Sequence, residues 1–238
     1  MKFADPLIAG RLVKRYKRFL ADVVLDSGET ITTTCPNTGS MLGLVAPGSR
    51  VWLSTSDSPT RKYKHTWELV EADFGAGATM VGINTNHPNR IVADAIAVGQ
   101  IKELKGYAEL KREVKYGTNS RIDILLADTK KSPCYVEIKN VHMMRNVPRA
   151  EFPDSVTERG AKHLAELAAM VEAGNRAVLL YLIQIPTPTS FSFAADIDPA
   201  YVAAFDRARA AGVEALAYRC HVTPDGIEID KAVPIKHG

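Results

Sequence analysis

Two short apolar runs each carry acids that their surroundings do not explain. Glu137-Ile138-Lys139 lies within Cys134 to Val141, and Asp123 lies between Ile122 and Ile124 in Arg121 to Ala127. In an extended strand, residues i and i+2 project to one side. Glu137 and Lys139 then share a face, and Val136 and Ile138 turn the other way into a core. An acid and an ammonium there are costly to bury unless something uses them. If the two runs are neighbouring strands, Asp123 and Glu137 converge. Two close carboxylates repel and share a proton unless a divalent cation lies between them. Oxygen ligands of this kind suit Mg²⁺ or Mn²⁺. Such an ion polarises a phosphate and lowers the pKa of a bound water, and Lys139 can orient that water or offset the developing charge. The chemistry indicated is phosphodiester hydrolysis. Asp123 and Glu137 are the candidate metal ligands, and Asp123, Glu137 and Lys139 the candidate catalytic set. Glu113, on the strand before Asp123, is a further acid that could complete the shell or accept from Lys139. A structural reading competes: an Asp123–Lys139 ion pair, with Glu137 at a wet edge and Glu113 on the charged face it shares with Lys111 and Lys115.

Cations are concentrated in two places. The first twenty residues hold Lys2, Arg11, Lys14, Arg15, Lys17 and Arg18 against one acid, Asp5, and a second cluster sets Arg61, Lys62 and Lys64 among Tyr63, His65 and Trp67. Basic residues interleaved with aromatic rings suit a phosphate backbone and its bases, although either cluster alone could be a solvated face. Arg159, Lys162 and His163 fall at i, i+3 and i+4 of an expected helix, forming either a cationic row near a phosphate or a wet face beside Glu158 and Glu166. The expected nucleic-acid contacts are Arg15, Lys17, Arg18, Arg61, Lys62, Lys64, Arg159 and Lys162. Other signals are weaker. Gly75-Ala76-Gly77-Ala78 lacks the spacing of a phosphate loop and reads as a hairpin turn. The six histidines form no HxH or HExxH pattern and the three cysteines no CxxC pair, which argues against zinc or a disulfide framework.

The elements that must carry these residues fall into two textures. The chain has 238 residues, 46% hydrophobic and 24% charged, with a net charge of +3, a globular composition. No apolar stretch is long enough to span a membrane, and the opening residues lack an apolar leader core, so a cytoplasmic chain is expected. Up to residue 85, short β-rich runs (Arg18 to Leu25, Thr30 to Thr34, Arg50 to Ser56, Thr66 to Glu71, Thr79 to Ile83) separated by turn residues suggest a small OB-like barrel. From residue 86 to 238 the pattern becomes α-β-β-β-α-β-α-β, a mixed sheet flanked by helices. Ser155 and Glu158 have capping-box spacing at the head of its second helix, and Gly174 is placed to stop it. Ala177 to Ile185 is almost wholly apolar, as a strand covered on both faces should be. The fold class is α/β (α+β).

Segments including Cys35-Pro36-Asn37-Thr38-Gly39-Ser40-Met41, Thr66-Trp67-Glu68-Leu69, Arg112 to Gly117, Ser120-Arg121-Ile122-Asp123, Tyr135 to Val141, Phe152 to Thr157 and Arg159 to Leu164 resemble the sugar fermentation stimulation protein family along nearly the whole chain. The resemblance implies an N-terminal OB-like domain followed by a domain similar to the PD-(D/E)xK nucleases. Asp123, Glu137 and Lys139 then stand at that superfamily's motif positions, and Glu113 at its upstream acid; Ile122 replaces the usual proline. The resemblance also implies non-specific DNA binding and a link to the regulation of sugar (maltose) use, without implying cleavage. Two functions remain open: a DNA-binding protein with a Mg²⁺-dependent nuclease centre, and a DNA-binding regulator whose nuclease site is vestigial. A carbohydrate-binding barrel has little support at 7% aromatic residues. No helix-turn-helix or zinc finger offers base readout, so weak sequence specificity is expected, and a homodimer would help to span a duplex.

Overall fold

The computed structural model describes residues 1–117 and 120–236. Five strands close the N-terminal barrel: β1 (Ile8–Tyr16), β2 (Leu20–Leu25), β3 (Thr30–Thr34), β4 (Arg50–Thr55) and β5 (His65–Asp73). β1 runs antiparallel between β2 and β4, β2 pairs with β3, and β4 with β5. A parallel contact of Thr34 with Thr66 shuts the barrel in the order β1-β2-β3-β5-β4. β6 (Ala78–Gly82) extends β5 through a hairpin in which Asp73 Oδ1 accepts from the N–H groups of Gly75 and Gly77. The glycine run is thus a turn. Inside the barrel, Leu12, Val23, Leu53, Trp67 and Val70 are almost fully buried.

One barrel strand escapes the sequence pattern. In β1 a bulge between Leu12 and Lys14 breaks the two-residue alternation, and Arg11, Val13 and Lys14 are exposed. The expected first strand begins later than Arg18, at Leu20, because Lys17 and Arg18 have left-handed φ values of 49° and 63° and form the turn between β1 and β2. Pairing of Leu20 with Thr34, and of Thr34 with Thr66, brings that turn and the loop before β5 to the same end of the barrel.

The second unit is a three-layer sandwich. Its sheet, in the order β15-β14-β12-β9-β8-β7, comprises β7 (Glu109–Tyr116), β8 (Ser120–Ala127), β9 (Cys134–Val141), β12 (Arg176–Ile183), β14 (Glu214–Thr223) and β15 (Gly226–Ala232). β9, β12 and β14 are parallel, and β7, β8 and β15 are antiparallel additions. Seven of the eight β12 residues are buried, as the apolar run requires. Helix α1 (Pro88–Ala97) covers one face, where Ile91, Val92 and Ala95 meet Ile124, Val136 and Leu180. Helices α2 (Glu158–Glu172) and α3 (Pro199–Ala210) cover the other, where Leu164, Leu167, Tyr201 and Phe205 join Leu179 and Tyr181. The N-cap of α2 is Thr157, whose hydroxyl accepts from Gly160 N at 3.0 Å, whereas the expected cap Ser155 bonds Asp154 instead. Gly174 follows α2 at φ 82°, the left-handed stop read from the sequence.

The expected α-β-β-β-α-β-α-β order omits β15 and a small second sheet of β10 (Met143–Asn146), β11 (Arg149–Phe152), β13 (Ser190–Phe193) and β16 (Ile235–Lys236). The two units are not independent. One buried apolar cluster runs from Leu12, Val23 and Trp67 in the barrel through Val141 and Ala150 to Phe191 and Tyr201. Residues at the start of the chain also cross over, with Lys2 bridging Gly226 and Phe3 N bonding Asp225 O.

Candidate functional site

The site arises where a β ladder stops. β8 and β9 pair at Leu126–Cys134, Leu125–Tyr135 and Ile124–Val136, so the next step of the register sets Asp123 opposite Glu137. There the ladder ends, and Asp123 Oδ2 accepts from Ile138 N at 2.7 Å in place of a strand carbonyl. Beside this end lies a cleft of about 800 Å³ bordered by Thr85, Asn89, Glu113, Asp123, Glu137, Lys139, Arg159, Lys162 and His163. It contains all four expected catalytic side chains and two of the eight expected nucleic-acid contacts, Arg159 and Lys162.

Glu137 is buried, and its partner is Lys139, with Nζ 2.8 Å from Oε1. The alternative Asp123–Lys139 pair with Glu137 at a wet edge is therefore not the arrangement found. His163 Nδ1 also bonds Glu137 Oε1. Arg159 Nε donates to His163 Nε2 at 3.3 Å, which makes Nε2 the acceptor and leaves the Nδ1 proton for Glu137. Glu137 Oε2 is buried with no hydrogen-bond partner.

These contacts divide the two acids. Burial alone would raise Glu137, but the hydrogen bond from His163, together with the charge and hydrogen bond of Lys139, outweighs it and holds the carboxyl below its ordinary value. Asp123 moves the opposite way. Burial, then the nearby Glu137 charge, push it up to about 6, against the opposing effects of the Ile138 N–H, Asn89 and Lys139. Near neutrality Glu137 is the fixed anion and Asp123 the group that exchanges a proton.

Glu113, on β7, lies opposite Asp123 of β8 in an exposed position, at a left-handed φ of 54°. Asn89 joins the two: its Nδ2 donates to Glu113 Oε1 at 2.7 Å and to Asp123 Oδ1 at 2.9 Å. Asn89 comes from the first turn of α1, so strand spacing gives no hint of it; the nearest signal is the polar run Asn84 to Asn89 before an apolar helix. The barrel fixes that helix start. Glu68 Oε2 on β5 lies 2.7 Å from both Asn84 Nδ2 and His87 Nε2, and Ser54 Oγ lies 2.6 Å from Oε1. Burial works against the Glu68 charge, but the His87 contact, aided by Ser54 and Asn84, leaves its pKa lowered.

A second junction ties the barrel to the cleft. Pro36 O accepts from Thr85 N and Oγ1, and Ser40 Oγ and Met41 N donate to Asp154. Asp154 Oδ2 is 3.3 Å from His142 Nε2. Despite burial, the His142 contact and these donors hold Asp154 well below the usual carboxylate range. The remaining cations divide by role. Lys17, Arg18, Lys62 and Lys64 are exposed on the two loops at this end of the barrel. Arg61, also exposed, reaches Thr66 Oγ1 at 2.9 Å. Arg15 acts as a brace, its guanidinium donating to the carbonyls of Arg18, Asn37, Gly39 and Ser40. Lys162 Nζ lies 3.6 Å from Glu166 Oε1. Cys35, Cys134 and Cys220 are free and buried.

A closed OB-type barrel with a three-layer, mixed-sheet domain built onto it defines the class of protein. Residues 13–83 match the model of the SfsA N-terminal OB domain, and residues 86–226 that of the sugar fermentation stimulation protein RE domain. The chain belongs to the sugar fermentation stimulation protein family. It is 57% identical to a sugar fermentation stimulation protein homolog of Azorhizobium caulinodans, over 99% of each chain. It is 58% identical to a homolog of Brucella anthropi, over 99% of this chain and 100% of that one. The structure of Pyrococcus furiosus SfsA in complex with Ca²⁺ shares the fold, with a TM-score of 0.87 at 24% identity, over 99% of this chain and 98% of that one. Among the described residues no helix is long and apolar enough to cross a membrane.

Proposed function

We propose that this chain binds DNA with little sequence preference through the basic end of its barrel, and hydrolyses phosphodiester bonds in the Asp123–Glu137 cleft with a bound Mg²⁺ or Mn²⁺. One observation carries the reading: a half-buried acid, Asp123, and a buried one, Glu137, face each other at the end of a ladder, and the buried one offers an oxygen, Glu137 Oε2, that nothing among the described residues satisfies. Buried carboxylate oxygens are a suitable donor set for a hard cation, and Mg²⁺ retains several waters, so two protein ligands suffice. The Ca²⁺ complex of the Pyrococcus furiosus relative supports a divalent ion in this fold. When bound, the ion would polarise the phosphate and acidify a water.

The chain's own residues supply the rest. Glu137 and Asp123 would hold the cation, and Asp123 would have to release its proton to do so. Lys139, fixed against Glu137, would orient the water or offset the charge that develops on the phosphate oxygen. Arg159 and Lys162 at the cleft wall attract the phosphate backbone. The attacking water forms a new P–O bond and the ester P–O bond breaks, giving a phosphate monoester and a hydroxyl. The test is supercoiled plasmid incubated with wild type or Asp123→Ala, in Mg²⁺, Mn²⁺ or EDTA. Metal-dependent nicking by the wild type alone is expected; nicking that survives the substitution places the chemistry elsewhere.

A second reading is a DNA-binding regulator that does not cut. It is favoured by the contacts on Glu137 Oε1, which Lys139 and His163 already occupy, as they would in a site kept for structure alone. It predicts salt-sensitive binding that Asp123→Ala leaves intact, with no cutting in any metal.

A further inference from the structure

Phe19 is more than half exposed, at 54%, yet the chain that carries it is tightly fixed. Its carbonyl accepts from Cys35 N at 2.8 Å, and Arg15 clamps the carbonyl of Arg18 beside it. Lys17 and Arg18, both left-handed, complete the turn and are the two exposed basic residues immediately before Phe19 in the chain. A fixed turn that exposes a large apolar ring directly after two basic residues has the composition of a stacking platform.

The other two rings near this end are already used. The ammonium of Lys14 lies 5.5 Å from the Tyr16 ring centroid, and that of Lys62 lies 5.4 Å from Tyr63. Phe19 has no ring or cation stacked on it among the described residues. The register Leu20–Thr34–Thr66 aligns this turn with the Arg61–Lys64 loop, and Pro36, just beyond Thr34, touches Thr85 on the cleft wall. A nucleic-acid strand lying along the two loops would have its phosphates beside cations and a base within reach of Phe19.

Within a duplex each base is covered above and below by its neighbours, so only edges are presented to a protein. A single strand offers free faces. Resting on the nucleic-acid reading above, we infer that Phe19 is a stacking site for an unpaired base, and that the preferred ligand is a single-stranded segment.

Fluorescence anisotropy with a labelled oligothymidine and with a blunt duplex of equal length tests this across a salt series. Phe19→Ala should weaken single-strand binding by about five- to a hundred-fold, with the salt slope unchanged, and shift duplex binding by less than about twofold. Phe19→Trp should restore single-strand affinity. Lys17→Ala should lower the salt slope by about one for both probes. Phe19→Ala that binds the single strand as wild type does, or that loses both probes equally, overturns the inference and leaves the cation-based reading intact. A wild type that binds neither probe overturns both.

Discussion

Replacing Asp123 with Asn tests the electrostatics of the cleft without requiring any catalysis. In the metal-free protein burial and the Glu137 charge raise this carboxyl from 3.8 to about 6. A folded-state value above the unfolded one means that folding takes up a proton. The associated stability is present below about pH 4 and is lost as pH rises through about 6. A shift of about two units at roughly 1.4 kcal/mol each makes the loss about 3 kcal/mol, complete by about pH 7. The amide of the Asp123→Asn variant has no charge to lose. That amide would meet the Nδ2 group of Asn89, a cost that does not vary with pH and therefore leaves the slope untouched. Urea unfolding of both proteins in EDTA at a series of pH values should show Asp123→Asn gaining on the wild type by about 3 kcal/mol between about pH 4 and 7. In thermal melts the relative gain is roughly 6–12 °C for a chain of this size. Glu68 and Asp154, held low, lose their contribution on the acid side of this window in both proteins and largely cancel. A difference between the two proteins that stays flat across the window would refute the account of the acid pair.

Glu137→Gln leaves the Lys139 ammonium, only 12% exposed, without its anion, and should cost on the order of 3–5 kcal/mol in unfolding free energy. Adding Lys139→Met to Glu137→Gln should recover part of that loss; a fully additive double variant would deny the pair its coupling. Gly39→Ala would place a Cβ 2.6 Å from Asp154 Oδ2, and should destabilise by about 1–3 kcal/mol in thermal or urea unfolding. In an Asp154→Ala background the same change should cost far less, and an equal cost in both backgrounds would mean that the loop does not dock as described.

The acids at the centre of the site were legible because strand geometry is local. The i, i+2 rule fixed Glu137 beside Lys139, and apolar flanks marked Asp123 as an acid set within a packed strand. What surrounds them was not legible, since it arrives from other elements. Asn89 is carried in by a helix whose start is set by Glu68, a residue of the barrel. His163 is visible in the cationic row on α2, but its bond to Glu137 depends on how α2 lies across β9. Arg15 looks like any other cation in a basic run until the fold wraps four carbonyls around it. Among the elements, β12 and the end of α2 follow from an apolar run and one glycine. β1 was hidden by its bulge, and β10, β11, β13 and β16 are too short to show a period. β15 did leave a trace, because Asp225-Gly226 followed by alternating Ile227 and Ile229 is a hairpin signal.

The buried cluster that passes from Leu12 and Trp67 to Phe191 and Tyr201 makes the barrel a poor candidate for use as a cassette. Cutting the chain near Thr85 would uncover apolar surface on both fragments, and each would tend to aggregate when produced alone. For the same reason, a nucleic acid held at the barrel's basic rim, as proposed, would bear on a body that is continuous with the cleft.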